Sequence, residues 1–70
     1  MKWEFSRWLR KKRKSNQMTM EDVARLAGTS KSYIHEIENG KSAPSIDKAA
    51  AIANAFSMPL WKALKEAIQE

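Results

Sequence analysis

Lys31, Ser32, His35 and Glu36 stand within one short stretch and bring an ammonium, a hydroxyl, an imidazole and a carboxylate together. If the stretch is helical and buries Ile34 and Ile37, these four side chains lie towards the opposite or N-terminal side and face outward as a row. Such a mixture of donors and acceptors suits hydrogen bonding to the edges of base pairs. It does not suit catalysis, because no pair of acids, Ser/His/Asp set or phosphate-cradling glycine loop accompanies it, and an enzyme is not expected. Metal binding is not expected either. The chain has no cysteine and His35 is its single histidine, so thiolate and multi-histidine sites are excluded, and a lone histidine on a helix is ordinarily a polar surface residue.

The elements that must position this row span Thr19 to Gly40. Thr19 carries an N-cap oxygen and Asp22 follows three residues on, a capping box with Asp for Glu, so a helix starts there. Val23, Ala24 and Ala27 give it a narrow apolar face, and Gly28 can take the positive φ that ends it. Ser30 caps a second helix, which buries Ile34 and Ile37 and stops at Asn39-Gly40. Two helices joined so tightly cross steeply. That is the layout of a helix-turn-helix, whose second helix can enter the DNA major groove.

The remaining chain supplies a scaffold. Helices are expected over about 3–14, 20–27, 31–38, 46–55 and 59–69, all within one domain, 1–70. In the first, Phe5, Trp8 and Leu9 share a face with the stem of Lys12, while Lys2, Arg7, Arg10, Lys11 and Lys14 occupy the other. The run Arg10 to Lys14 reads as a helix end complementing its dipole and as a phosphate-facing edge. Asn16 or Gln17 is the candidate for a left-handed turn residue, and Met18 turns inward towards Val23. Pro44 keeps Ala43 out of helical geometry and Ser45 caps the fourth helix. Its expected face is Ile46, Ala49, Ala50, Ala53 and Phe56, with Ile52 at the border. Pro59 opens the fifth, where Leu60, Leu64 and Ile68 form a stripe beside Ala63 and Ala67. Trp61 lies about 100° round from Leu60, and either it or Trp3 folds over the core or it meets a partner.

With 13 Lys and Arg against 8 Asp and Glu, a net charge of +5 and a pI near 9.8, the chain has the charge of a polyphosphate-facing surface, although basic domains with other roles are common. No disulfide can staple a core this small, so dimerisation is a natural source of further buried surface. No apolar run approaches the roughly twenty residues of a membrane span and no signal peptide is visible. A cytoplasmic protein is expected, and the lack of any alternating strand pattern makes the fold class all-α.

Leu9, Arg13, Met18-Thr19, Val23-Ala24, Gly28, Ser30, Ile34, Ile37-Glu38-Asn39-Gly40-Lys41, Pro44-Ser45-Ile46, Ala53, Phe56 and Leu60 together resemble the phage-repressor-like, or Xre, helix-turn-helix family across about Phe5 to Leu64. The resemblance implies a compact five-helix lambda-repressor-like fold. It implies an ion pair between Arg13 and Glu38, tying the ends of helices one and three. It also implies that the first turns of helix three read bases: Lys31 suits guanine O6 or N7, Ser32 almost any polar edge and Glu36 a cytosine amino group. His35 joins them, as does Ser30, although Ser30 and Thr29 lie nearer the backbone. Expected phosphate contacts are Arg10, Thr19, Met20, Tyr33, Asn39, Lys41 and Ser42, with Tyr33 equally readable as a packing residue. The Asn39 to Ser42 turn is expected to offer backbone N–H groups as well as Lys41.

Departures from the family pattern sharpen three expectations. Met20 replaces a frequent glutamine, which leaves only backbone donors and the helix dipole for a phosphate at helix two. Gln17 and Ser57 replace frequent glycines, so their turns should be strained or reshaped. Glu36 stands where relatives often carry arginine or glutamine, and an acid there requires a cytosine or a neutralising neighbour.

The reading is a sequence-specific double-stranded DNA-binding regulator, a repressor occupying its operator without a further effector domain. One helix reads few base pairs, so a homodimer on an inverted repeat is expected, joined through Trp61, Leu64 and Ile68. An antitoxin-type module that neutralises a partner protein is the alternative. No cofactor is implied. The setting would be bacterial or phage-encoded, with the protein on the nucleoid when bound to DNA.

Overall fold

The computed structural model describes residues 5–69; Lys2, Trp3 and the expected first turn of helix one lie outside them. The elements are α1 (Phe5–Ser15), α2 (Met20–Ala27), α3 (Lys31–Glu38), α4 (Ile46–Ala55) and α5 (Leu60–Gln69). Among the described residues there is no strand, and no helix is long and apolar enough to cross a membrane.

Side-chain oxygens fix where α2, α3 and α4 begin. The Asp22 N–H donates to Thr19 Oγ1 at 3.0 Å and the Thr19 N–H donates to Asp22 Oδ2 at 2.9 Å, completing the capping box. Ser30 and Ser45 accept from the N–H groups of Tyr33 and Lys48. These bonds satisfy donors that a helix start leaves without an intrahelical partner.

The ends of α1 to α4 share one device. Gln17, Gly28, Gly40 and Ser57 adopt φ of 56°, 70°, 74° and 58°. The residue after each donates its N–H back to a carbonyl of the last turn: Met18 to Arg13, Thr29 to Ala24, Lys41 to Glu36 and Met58 to Ala53. This is the Schellman arrangement, which satisfies the carbonyls left over at a helix end. Glycine enters the left-handed region at no steric cost, whereas Gln17 and Ser57 enter it against the clash of their Cβ atoms.

Trp8 sits at the centre of the core, 1% exposed, with Phe5 and Phe56 ring centroids 5.0 and 5.8 Å away. Leu9, Val23, Ile34, Ile37 and Ile52 are also fully buried. α2 packs on α3 and α4, α1 on α3 and α5, and α4 on α5, so the helix-turn-helix is held by α1 and α4, which α5 braces in turn.

Two faces differ from the periodic reading. Ile46 is 73% exposed while Ile52 is 1% exposed; the buried arc of α4 is rotated towards Ile52, and its first turn projects beyond the core. In α5 it is Ala63 and Ala67 that are buried. Their small side chains let α5 approach α1 and α4 closely, which leaves Leu60 and Leu64 half-buried beside them.

Candidate nucleic-acid interface

Ile34 and Ile37 are 0% and 1% exposed and so fix the rotation of α3. Lys31, Ser32, His35 and Glu36 are all exposed and, with Lys41, line a broad hollow of about 470 Å³ on the outer side of the helix. The row is therefore a contiguous surface. Ser30 is not part of it: its hydroxyl oxygen is the α3 cap, accepting from the Tyr33 N–H at 3.1 Å.

Behind this row, the carboxylate of Glu38 has no exposed side-chain surface. Arg13 grips it in a bidentate pair, with Nε donating to Oε2 at 2.7 Å and Nη2 to Oε1 at 3.0 Å, and a third Arg13 bond reaches the Met18 carbonyl at 3.1 Å. Hydrogen bonds to Glu38 hold the Arg13 guanidinium pKa above its ordinary value against the opposing effect of burial. Two parallel charge-assisted bonds fix orientation as well as distance, so the ends of α1 and α3 are locked together.

Arg10 joins that network. Its Nη2 donates to the Glu38 carbonyl at 3.2 Å and its Nε lies 3.6 Å from Oε1, while about half of its side chain stays exposed. Lys12 is also engaged, 3.1 Å from Glu66. Within the Arg10 to Lys14 run, Arg10, Lys12 and Arg13 thus bind the protein's own acids. Sequence reasoning missed Glu66, which also accepts from the Trp8 indole N–H at 2.9 Å. That bond first, and Lys12 second, lower the Glu66 pKa below its ordinary value.

The expected phosphate contacts separate in the same way. Thr19 spends its N–H and its hydroxyl oxygen on Asp22, whose pKa is lowered chiefly by the Thr19 bonds and then by Arg25, 3.3 Å away. The box leaves the first-turn amides of Met20 and Glu21 for an anion at α2. The Asn39 to Ser42 turn does not offer its backbone outward: the N–H groups of Asn39, Gly40, Lys41 and Ser42 all return to carbonyls of α3. The Asn39 side-chain amide folds back as well, donating to the His35 carbonyl at 2.7 Å. The cause is the end of α3, whose orphan carbonyls take the nearest donors.

Lys41 keeps an exposed side chain. Ser42 Oγ donates to Glu36 Oε1 at 3.2 Å, a hydrogen bond that leaves the carboxylate's charge in place. Tyr33 is half-buried, with the Lys48 ammonium 5.9 Å from its ring centroid, a distance at which the ring face attracts a cation. Lys48 carries no local sequence signal for this role, since the contact depends on how α4 crosses α3.

A second surface lies where α4 meets α5. Pro44, Ile46, Ala49, Leu60, Leu64 and Ile68 line an apolar groove of about 320 Å³. The structure brings Leu64 and Ile68 together here and adds Ile46, while Trp61, 66% exposed, lies outside the groove lining.

The profile of the helix-turn-helix family HTH_3 matches residues 9–60. The chain belongs to this family. Among solved structures it is similar to the restriction-modification controller protein C.AhdI from Aeromonas hydrophila, with a TM-score of 0.80 and 25% identity over 86% of this chain and 91% of that one. It is also similar to an HTH_3 family transcriptional regulator from Vibrio cholerae, with a TM-score of 0.83 and 27% identity over 94% of this chain, which spans 37% of that regulator. No curated protein sequence matches. The family and the fold place this HTH_3 domain among DNA-binding transcription regulators.

Proposed function

We propose that this HTH_3 domain binds a specific double-stranded DNA operator by laying α3 in the major groove and represses transcription by occupying the site. The observation that carries the reading is the exposed row of Lys31, Ser32, His35 and Glu36 opposite buried Ile34 and Ile37. In this pose Lys31 and Glu36 reach base edges, with guanine and cytosine as their best-matched partners. Lys41 and the first-turn amides of α2 meet phosphate. Tyr33 supports α3 from beneath, its ring held near Lys48.

A homodimer on an inverted repeat completes the proposal. Ile46 and Ile68 expose apolar surface at 73% and 47% beside a groove that Leu64 lines, and a two-fold contact through this surface would be self-complementary. The likeness to the restriction-modification controller C.AhdI over 86% of this chain supports a regulatory role. The protein would act in the cytoplasm, where its DNA is.

The test is selection of bound duplexes from a random pool, followed by affinities for two variants. Lys31→Ala should change which sequence is preferred. Lys41→Ala should weaken all sequences alike and reduce the salt slope by about one unit. Equal losses on every sequence from both variants would sink the assignment of α3 as the reading helix.

A further inference from the structure

Glu36 is the acid in an otherwise basic or neutral reading row, and its carboxylate is not loose. Ser42 Oγ donates to Oε1 at 3.2 Å. The same residue's backbone carbonyl receives the Lys41 N–H at 2.9 Å and the Ser42 N–H at 3.4 Å. The turn after α3 therefore closes on Glu36 at two levels, main chain and side chain. Gly40, at φ 74°, is the bend that brings it back.

We propose that Ser42 is a positioning residue for DNA specificity: by donating to Oε1 it holds the Glu36 carboxylate with Oε2 directed to a base amino group. This rests on the reading of α3 as the groove helix. A hydroxyl has one proton to give. Given to Glu36, that proton is not available to a phosphate, so Ser42 acts on sequence preference and not on general affinity, in contrast to the phosphate role expected from its place in the turn.

Two physical effects make the arrangement consequential. A glutamate on a helix surface has several rotamers, and fixing one before binding removes an entropy cost that would otherwise fall on the complex. With Oε1 turned to Ser42, Oε2 is the oxygen left without a protein donor, and an ionised carboxylate only accepts, which matches the amino donor of cytosine N4. The hydroxyl also gives the charge a partner in the unbound protein, which offsets part of the cost of placing an acid near phosphate.

The experiment begins with Glu36→Ala and the duplex pool, which identifies the base position whose preference depends on Glu36. Affinities are then measured on the four duplexes differing at that position for wild type, Ser42→Ala and Ser42→Thr, each at several salt concentrations. Ser42→Ala should reduce the preference at that position by about three-fold to ten-fold, the worth of one hydrogen bond, with an unchanged salt slope. Ser42→Thr, which keeps the hydroxyl, should restore it. Equal weakening on all four duplexes with a salt slope lower by about one would overturn the proposal in favour of a phosphate contact, and no change at all would overturn it outright. If Glu36→Ala itself leaves every preference unaltered, the groove-reading role of Glu36 falls and the positioning role with it.

Discussion

Glu38 shows how one buried carboxylate can organise two helices. Its side chain is wholly buried, its two oxygens face the Arg13 fork, and Arg10 adds a bond to its carbonyl. Cores often tolerate replacement of both partners of such a pair by apolar groups, but removing one leaves a buried charge without its counterion. Glu38→Ala should therefore lower unfolding stability by about 3 kcal/mol or more, read as a shift of the urea midpoint. Its effect on DNA affinity should disappear once binding is measured at a temperature where the variant is fully folded. At the same scale, Asp22 and Glu66 titrate below their ordinary values of 3.8 and 4.5. A depressed folded-state pKa contributes stability that is complete above the ordinary value and lost as pH falls through the folded one. Unfolding stability should thus be level near neutrality and fall below about pH 4.5. Glu66→Gln should flatten that fall, which pH-dependent urea titration would detect.

At the scale of elements, the four Schellman ends differ only in the residue that occupies the left-handed position. Gly28 meets nothing within 4 Å of an added Cβ, yet its φ is +70°, so a side chain there would cost conformational energy without a clash beyond its own backbone. Gln17 and Ser57 already bear that cost at φ 56° and 58°. Gln17→Gly and Ser57→Gly should each stabilise the fold by about 1 kcal/mol, additively because they end different helices; thermal unfolding of the single and double variants would test both values. Helix starts were legible in the sequence because Thr19, Ser30 and Ser45 act within three residues of themselves. A left-handed turn at Asn16 or Gln17 was legible for the same reason, and the structure places it at Gln17. Trp8 and Glu66 were not, since 58 residues separate them and no local pattern links a tryptophan to a distant acid. The exposure of Ile46 was hidden too: periodicity gives a helix a face, but only the neighbours decide how far along the helix that face is covered. Within the candidate interface, the outward row followed from Ile34 and Ile37. The inward turn of the Asn39 to Ser42 amides did not, because a turn's donors are claimed by whichever carbonyls the fold leaves open.

For the whole molecule, the two surfaces have opposite chemistry and lie on different helices. The polar hollow belongs to α3 and the turn after it, whereas the apolar groove is built where α4 meets α5. Mutations in the hollow should therefore leave the apolar contact of the groove intact. Sedimentation at 100 μM should give a mass approaching twice the 8.0 kDa of the chain. Ile46→Lys and Ile68→Lys, both at exposed positions, should return it to one chain without loss of helix content. Trp61→Ala tests whether the neighbouring ring shares the contact. A single-chain mass at that concentration that none of these variants alters would remove the homodimer.

α3 is eight residues long, and at about 1.5 Å per residue it extends roughly 12 Å. Base pairs are stacked about 3.4 Å apart, so in the proposed groove pose one copy would inspect roughly three of them. A word of about three letters in a four-letter alphabet recurs by chance every 64 or so positions, and no refinement of Glu36 or Lys31 lengthens the word. Two copies at fixed spacing read about six letters and meet a chance match roughly once in 4,000 positions. On the proposed reading, the brevity of α3 therefore sets the information that a single chain would extract from a genome, and doubling the reader would multiply it in a way that stronger contacts cannot.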